Sequence, residues 1–322
     1  MNAMMLWGPG QPLTMTEVPP VLPPVGDVFV HLKAAALNKR DYWITRGQYP
    51  GIVYPLIMGS DGAGLFNERE VIINPGFNWG EHESHFSPGF KILGMPDNGT
   101  LSQLVEVPEQ NLYDKPGHLN WHETAALPVA GVTAYRGMFS RGQAKANDRL
   151  LITGIGGGVA TMALLFGKAL GMEVWVTSSS DEKIEKAIQL GAAGGVNYAL
   201  SGWEKTLSEK AAGKFDMVMD GAGGGDFSRI ISLLNPGARV IIYGGTAGNI
   251  QELSPQRIFW KQINIMGTSM GSPGDFQGML DFVNLHKIKP VISHTFLLEE
   301  ANEAIGVIGR NEQFGKVCID IT

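Results

Sequence analysis

The sequence predicts an α/β protein in which a parallel sheet, covered by helices on both faces, is inserted between the two halves of a β-rich domain. Three observations carry that expectation. Up to about Trp121 the chain is rich in proline and short β-like runs. From His122 onward, apolar runs of strand length alternate with segments of helical period, the pattern of a parallel sheet with crossover helices. Glycine is in excess, 43 of 322 residues, roughly double its usual ~7% share, so the backbone must turn sharply or approach a ligand closely.

In the first part, Val28 to Leu37 (VFVHLKAAAL) and Leu101 to Val107 (LSQLVEV) read as strands with proline-bounded connections. Further on, Arg149 to Thr153 leads into a glycine-rich turn and then Val159 to Leu170 at helical spacing. Glu173 to Ser178 precedes Asp181 to Leu190, Phe215 to Asp220 precedes Phe227 to Leu234, and Arg239 to Tyr243 precedes Pro255 to Trp260. Ile263 to Gly267 and a helix near Phe276 to Leu285 complete the series. The Val/Ile/Leu/Met character of these strands fits burial on both faces. From about Lys287 the β texture returns in PVISHTFLL, followed by a helical EEANEAIGVIGR and a last strand, KVCIDIT. The domains expected are therefore 1–121 with 286–322, and 122–285.

Composition narrows the function classes. With 44% hydrophobic and 17% charged residues the chain is a compact globular protein. A net charge of -6 opposes nucleic-acid or anionic-membrane partners, which call for a basic surface. Cys318 is the single cysteine, so no internal disulfide and no thiolate zinc cage can form, which points to the cytosol. Met1 to Pro12 lacks the basic segment and apolar run of a signal peptide, and no apolar stretch reaches membrane-spanning length.

The strongest local motif is Thr153-Gly154-Ile155-Gly156-Gly157-Gly158-Val159-Ala160, which follows a buried strand and opens a helix. Free N–H groups of a helix's first turn, with the macrodipole, bind a pyrophosphate, and glycines let the backbone approach it. A tight strand–helix turn without a ligand is the bland alternative. The next strand tests the kind of dinucleotide. NAD sites place Asp or Glu at its end; here it ends in Thr177-Ser178-Ser179-Ser180, with Asp181 delayed into the helix and Lys183 beyond. Hydroxyls plus a lysine suit a 2′-phosphate, so NADP(H) is favoured over NAD(H). Ser180 and Asp181 are equally suited to an N-cap and Lys183 to a solvated helix face, and that reading stays open.

Several segments then resemble one family, in order along the chain. They are Leu37 to Trp43 (LNKRDYW), Gly59 to Gly64 (GSDGAG), Ala125 to Pro128 through Thr133 to Arg136, TGIGGGVA, VTSSSDEK, LGAAGGVNY, Phe259 to Gln262, GTSMGS and Gly315 to Val317. The family is the medium-chain dehydrogenase/reductase superfamily, with most likeness to its zinc-type alcohol dehydrogenase-like branch and the neighbouring quinone oxidoreductases. The resemblance implies a GroES-like β-rich catalytic domain, a Rossmann doubly wound parallel-sheet domain, and a homodimer. It also implies cofactor contacts at Thr133, Gly157, Gly158, Val159, Ser178, Ser179, Lys183, Tyr198, Gly244, Thr246 and Lys316.

Departures from the family pattern are equally informative. Zinc-bearing relatives hold the catalytic metal with Cys, His and Cys; the corresponding positions here are Asn38, Ser60 and a cysteine-free segment near Ala130, so no metal is expected. The structural-zinc lobe has Trp79, His82 and His85 at its cysteine positions and reads as a solvated loop over a packed Trp79. The segment joining GSDGAG to NPG is shortened to LFNEREVII, which leaves the shape of that wall open. Without a Lewis acid, hydride transfer to a quinone or an α,β-unsaturated carbonyl is favoured, because its oxyanion needs only hydrogen bonds. Asn38, Asp41 and Tyr42 are the candidate catalytic residues, with Ser60 nearby; backbone capping and core packing are the alternatives for them. Two rival functions remain: a zinc-type alcohol dehydrogenase binding metal through His82 and His85, and a non-enzymatic NADPH-binding redox sensor.

Overall fold

The computed structural model describes residues 1–19 and 23–321. The chain divides into two compact units, Met1–Val132 with Ser272–Thr322, and Thr133–Gly271. The first opens with β1 (Asn2–Leu6), β2 (Thr14–Glu17), β3 (Asp27–Leu37), α1 (Lys39–Thr45), β4 (Leu56–Ile57), β5 (Asp61–Phe66) and β6 (Arg69–Ile73). Then come β7 (Gly76–Phe77), β8 (Lys91–Ile92), β9 (Leu104–Pro108), β10 (Leu112–Asp114) and α2 (Trp121–Ala125), and the boundary falls within α3 (Pro128–Tyr135). The second unit holds β11 (Arg149–Ile152), α4 (Gly158–Leu170), β12 (Glu173–Ser178), α5 (Asp181–Gln189), β13 (Gly194–Asn197) and α6 (Trp203–Ala211). It continues with β14 (Phe215–Asp220), α7 (Phe227–Ser232), β15 (Leu234–Ile242), α8 (Pro255–Lys261) and β16 (Asn264–Gly267). The chain returns to the first unit with α9 (Pro273–His286), β17 (Ile292–Leu297), α10 (Ala301–Gly309) and β18 (Lys316–Asp320). Among the described residues, no helix is long and apolar enough to cross a membrane.

The main sheet of the first unit runs β10-β6-β5-β3-β18-β17, with β9 also paired to β3. β3 organises it. Val30 and Leu32 face the core, then a register shift between Leu32 and Ala34 moves the inward face to Ala35 and Leu37. A bulge of this kind changes parity without losing the apolar face. The residues left on the other side, Ala34 and Ala36, meet Ala63, Ala125, Ala126 and Cys318 in a cluster of small side chains. Their size lets α2 lie close on the sheet, which is why α2 belongs to this unit although its sequence adjoins the second. α9 does so too, through Phe276 against Tyr113 at 4.8 Å, so the unit boundaries fall inside the 122–285 span.

One local expectation needs revising, and one segment whose shape was open takes a definite form. The strand read over Leu101 to Val107 begins only at Leu104. The residues before it bond elsewhere: Leu101 N–H donates to Met58 O, and its carbonyl accepts from Met4 N–H. The shortened LFNEREVII segment is a tight β5–β6 hairpin with Phe66 opposite Arg69. Its two turn residues, Asn67 and Glu68, have φ of 47° and 64°, the left-handed pair that matches strand twist in a two-residue hairpin.

The second unit's sheet is entirely parallel, in the order β13-β12-β11-β14-β15-β16. Numbered within the unit this is 3-2-1-4-5-6, the doubly wound order whose direction reverses beside the first strand. Leu151, Trp175, Val196, Val218 and Val240 pack on one face with Trp203, Leu207, Phe227 and Ile231 from the helices. The alternate residues Leu150, Ile152, Val174, Val176, Met217 and Met219 are buried as well. Both faces are therefore covered, as the apolar runs implied.

Gly64 lies beside the β3 bulge, where an added Cβ would stand 2.1 Å from the His31 carbonyl oxygen. Backbone cannot yield there as a side chain would. Gly64→Ala is expected to lower unfolding free energy by about 1–3 kcal/mol in urea titrations. Gly225→Ala, where the added methyl meets nothing within 4 Å, should change it by less than about 0.5 kcal/mol.

Candidate active site and cofactor turn

At one end of the first unit's sheet, three neighbouring strands deliver polar groups to a single point. Asp61 begins β5, opposite Ala36 of β3, and Ala36 in turn pairs with Cys318 of β18. Asn38 follows β3 and Lys316 begins β18, so all three side chains converge. Asp61 Oδ2 accepts from Lys316 Nζ at 2.7 Å and from Asn38 Nδ2 at 2.9 Å. Lys316 Nζ also donates to Asn38 Oδ1 at 2.7 Å, closing a ring of three groups. The other carboxylate oxygen accepts the Val129 N–H at 2.8 Å, in the first turn of α3. Asp61 and Lys316 are both buried. A buried ion pair persists only when hydrogen bonds satisfy its remaining capacity, and here they do.

Beside this ring, Arg40 turns inward from the first turn of α1. Its Nη1 donates to Ser60 Oγ and to the Leu93 carbonyl at 3.0 Å. Ser60 Oγ donates to the same carbonyl at 2.8 Å. Asp41 accepts the Asn38 N–H at 2.7 Å through Oδ2, while buried Oδ1 has no partner among the described residues. Burial raises the Asp41 pKa to about 6, against the opposing charge of Arg40.

Among the candidate catalytic residues, Asn38 and Asp41 therefore meet at this corner, and Lys316, expected at the cofactor, joins them there. Tyr42 is placed differently. Its ring packs on α10 at Gly309, where an added Cβ would come within 2.6 Å of it, and Lys39 Nζ lies 5.0 Å from its centroid. Asp61 and Arg40 were not singled out in the sequence. The available signal was a lone carboxylate in the otherwise Gly/Ala-rich strand GSDGAG and an arginine beside Asn38.

In the second unit the glycine-rich turn is fixed from below. Gly154 and Gly156 have φ of 66° and 139°, a conformation that side chains strain to adopt. Gly154 N–H donates to Thr177 Oγ1 and Ile155 N–H to Thr177 O. Thr153 Oγ1 donates to Asp220, whose second oxygen accepts the Gly223 N–H at 2.9 Å. Burial raises the Asp220 pKa. This carboxylate ties the turn after β11 to the turn after β14. It too was not singled out, although it closes the apolar run FDMVMD.

α4 begins at Gly158 with Gly157 as its N-cap and no side chain capping it. A Cβ added at Gly154 or Gly157 would meet nothing within 4 Å. The first-turn N–H groups of Gly158 and Val159 thus edge open space at a bare helix N-terminus. Of the remaining cofactor candidates, Ser178, Ser179, Lys183, Tyr198, Gly244 and Thr246 lie at or after the carboxyl ends of β12, β13 and β15. Ser178 is buried, with Oγ accepting the Ser180 N–H at 3.1 Å, while Ser179 is exposed. Lys183 stands in the first turn of α5, its N–H bonded to the N-cap hydroxyl of Ser180. Partial burial lowers its ammonium pKa. Asp181 Oδ1 accepts from Asn197 Nδ2 at 3.1 Å. Tyr198 follows β13 and donates its N–H to Ser178 O. Gly244 and Thr246 follow β15, with Thr246 N–H directed to Gly221 O. Thr133 is buried on α3, at the start of the unit.

Comparison with known proteins decides the lineage. Residues 24–117 match the alcohol dehydrogenase GroES-like domain and residues 158–284 the zinc-binding dehydrogenase domain. The chain is 37% identical over 340 residues to the zinc-type alcohol dehydrogenase-like protein YogA of Leptosphaeria maculans, spanning 96% of this chain and 95% of that one. It belongs to the medium-chain dehydrogenase/reductase superfamily. A solved structure described as an NAD-dependent alcohol dehydrogenase superimposes with a TM-score of 0.93 at 31% identity, covering 100% of both chains. Acryloyl-coenzyme A reductase of Sulfurisphaera tokodaii is 26% identical over 347 residues, 99% of each chain.

Within that superfamily the first unit is the GroES-like domain and the second the Rossmann-like domain. The metal corner of the zinc-bearing members does not fit a zinc ion in this chain. Asn38 is bound on both sides of its amide, Ser60 accepts from a guanidinium, and Ala130 offers no donor atom. Two fixed cations, Arg40 and Lys316, already hold these groups, and a divalent ion would be repelled by both. In the lobe loop, Trp79 is buried with Nε1 donating to His82 O, and its ring meets Phe86 and Phe90 edge-on. His82 and His85 stack, exposed, at 5.0 Å. Among the described residues, no three His, Cys, Asp or Glu side chains converge as a metal site.

Lys316→Met leaves Asp61 buried without its cation and should cost about 3–5 kcal/mol in urea unfolding; Asp61→Asn added to it should restore much of that loss. Asp41 gives a pH test. Folding raises its pKa from 3.8 to about 6, so the folded chain binds this proton more tightly. The resulting stability is present below the ordinary carboxylate pKa and lost as pH rises through about 6. Asp41→Asn, uncharged throughout, should gain about 1 kcal/mol on the parent between pH ~5 and ~7.5, read as the difference in urea unfolding free energies.

Proposed function

We propose that this protein is a zinc-independent, NADPH-dependent oxidoreductase that passes hydride to a quinone or an α,β-unsaturated carbonyl compound. One observation carries the reading. Where zinc-bearing relatives hold a Lewis acid, this chain holds an amide, a hydroxyl and two organic cations. Bound NADPH would supply hydride from its nicotinamide C4. Reduction of a saturated ketone places a full alkoxide charge on one oxygen, which a metal stabilises well. An enone or quinone spreads that charge into an enolate or hydroquinone anion, which N–H donors can support. The acryloyl group in the name of one relative is itself an α,β-unsaturated acyl group.

The residues of the second unit suit the cofactor. The uncapped start of α4 offers backbone N–H groups to a pyrophosphate, with room left by Gly154 and Gly157. The end of β12 presents Ser178 and Ser179, with Lys183 following, for a 2′-phosphate. Asp181, the carboxylate in that stretch, is engaged with Asn197. In the first unit, Asn38 would orient the substrate oxygen, and the Asp61–Lys316 pair would hold Asn38 in one rotamer. Thr133, Tyr198, Gly244, Thr246 and Lys316 complete the assigned cofactor contacts. A cytosolic homodimer acting on small molecules is part of the same reading.

The test is NADPH consumption with naphthoquinone, a 2-alkenal and a simple ketone, each with and without a chelator and repeated with NADH. Chelator-resistant turnover of quinone or alkenal with NADPH is expected. Chelator-sensitive turnover of the ketone would overturn the proposal in favour of a zinc enzyme, and NADPH binding without any turnover would favour a redox sensor. Gly157→Ala should weaken NADPH binding tenfold or more, by about 1.4 kcal/mol or above, in a fluorescence titration. Its effect on folding stability should stay small, because the methyl meets no protein atom.

A further inference from the structure

Arg40 carries a function that the cofactor turn and the Asn38–Asp61–Lys316 ring leave unassigned. The residue is only 8% exposed. Nη1 is satisfied by Ser60 Oγ and Leu93 O. Nε and Nη2 are buried and meet no acceptor among the described residues. Tyr49 covers the guanidinium, with its ring centroid 5.2 Å from Cζ. Asp41, the adjacent carboxylate, makes no hydrogen bond to Arg40; its one engaged oxygen accepts from the Asn38 backbone.

Leaving buried N–H groups unmet costs free energy that an apolar side chain of similar size would avoid. The unmet pair is also specific in geometry. Nε–H and Nη2–H lie parallel on one edge of the guanidinium plane, the arrangement that takes both oxygens of a carboxylate or converges on a single anionic oxygen. The other edge is anchored to Ser60 and to the backbone, so this one is held in place and preorganised. Ser60 stands at the second ligand position of the zinc-bearing relatives, so a fixed cation here occupies the corner where the metal's charge would be.

We propose that the Nε/Nη2 edge of Arg40 is a binding site for an anionic oxygen of the substrate, either a carboxylate or the enolate oxygen of an enone under reduction. The enolate source rests on the function proposed above; the carboxylate source does not. In the enolate case a C–H bond forms at the β-carbon with the electron pair of the hydride, and the nicotinamide is oxidised. The C=C pair moves to the bond between the α-carbon and the carbonyl carbon. The carbonyl π pair moves to oxygen, which accepts N–H bonds from Arg40; when water then protonates the α-carbon, that pair returns to the C=O bond and hydroxide is left.

Two measurements separate the sources. Calorimetric titration with butyrate and with its neutral isostere butyramide tests anion binding without turnover. If the carboxylate is the ligand, the parent protein binds butyrate about tenfold or more tightly than butyramide, and Arg40→Lys and Arg40→Gln both lose that preference. Steady-state reduction of but-3-en-2-one with NADPH tests the enolate: kcat should fall tenfold or more in both variants, with KM little changed. Arg40→Lys keeps the charge but not the fork, and it decides the matter if Arg40→Gln fails to fold. A butyrate preference with no enone turnover in any form would keep the anion site and overturn the enone reading. No butyrate preference, together with unchanged kcat on the enone, would overturn this proposal.

Discussion

A carboxylate taken out of water must find a cation and hydrogen bonds, and in the first unit Asp61 imposes that requirement on everything around it. It sits with no exposed surface at the start of a sheet strand. Its partners come from three other segments: Lys316 from the last strand, Asn38 from the end of β3, and the Val129 backbone from the first turn of α3. Desolvation costs several kcal/mol per ion unless such partners are in place. Satisfying the charge therefore selects the registers that align the start of β18 with the start of β5 across the end of β3, which lies between them. The alanines that separate these strands from α2 make the same approach sterically possible.

The polar corner that results is rigid because its groups restrain one another. The Asn38 amide is fixed from both ends, and its backbone N–H is tied to Asp41. Arg40 is fixed along one edge by Ser60 and Leu93. A metal site would be held by three lone-pair donors converging on a point. Here the positive charge is covalently part of the chain, and the donors around it are N–H groups with set directions. Under the function proposed above, such a corner would serve a reaction whose charge develops on an oxygen that hydrogen bonds can follow.

A similar device recurs in the second unit. Asp220 ends a buried strand, and its carboxylate joins the Gly-rich turn after β11 to the Gly221–Gly224 turn, through Thr153 and the Gly223 N–H. In both units a buried carboxylate at a strand end converts loose connections into a defined edge. The two differ in their partners. Asp61 is met by an ammonium, whereas Asp220 is met by a hydroxyl and backbone N–H groups, and burial raises its pKa.

Sequence by itself determined the two-part architecture, the order of strands and helices in the second unit, the glycine turn and the loss of the zinc ligands. These are encoded locally: the period of apolar residues, the glycines between Ile152 and Val159, and residue types at Asn38 and Ser60 that cannot serve as the usual ligands. Only tertiary structure decided that Lys316 meets Asp61, that Arg40 turns inward with one edge unmet, and that Tyr42 lies against α10. Each of these depends on strands or helices distant in sequence, 255 residues apart for the Lys316–Asp61 bond. The start of β9 at Leu104 has the same origin, since Leu101 is claimed by Met4 and Met58. A residue's type fixes which bonds it can make; which bonds it does make depends on the partners that packing brings within reach.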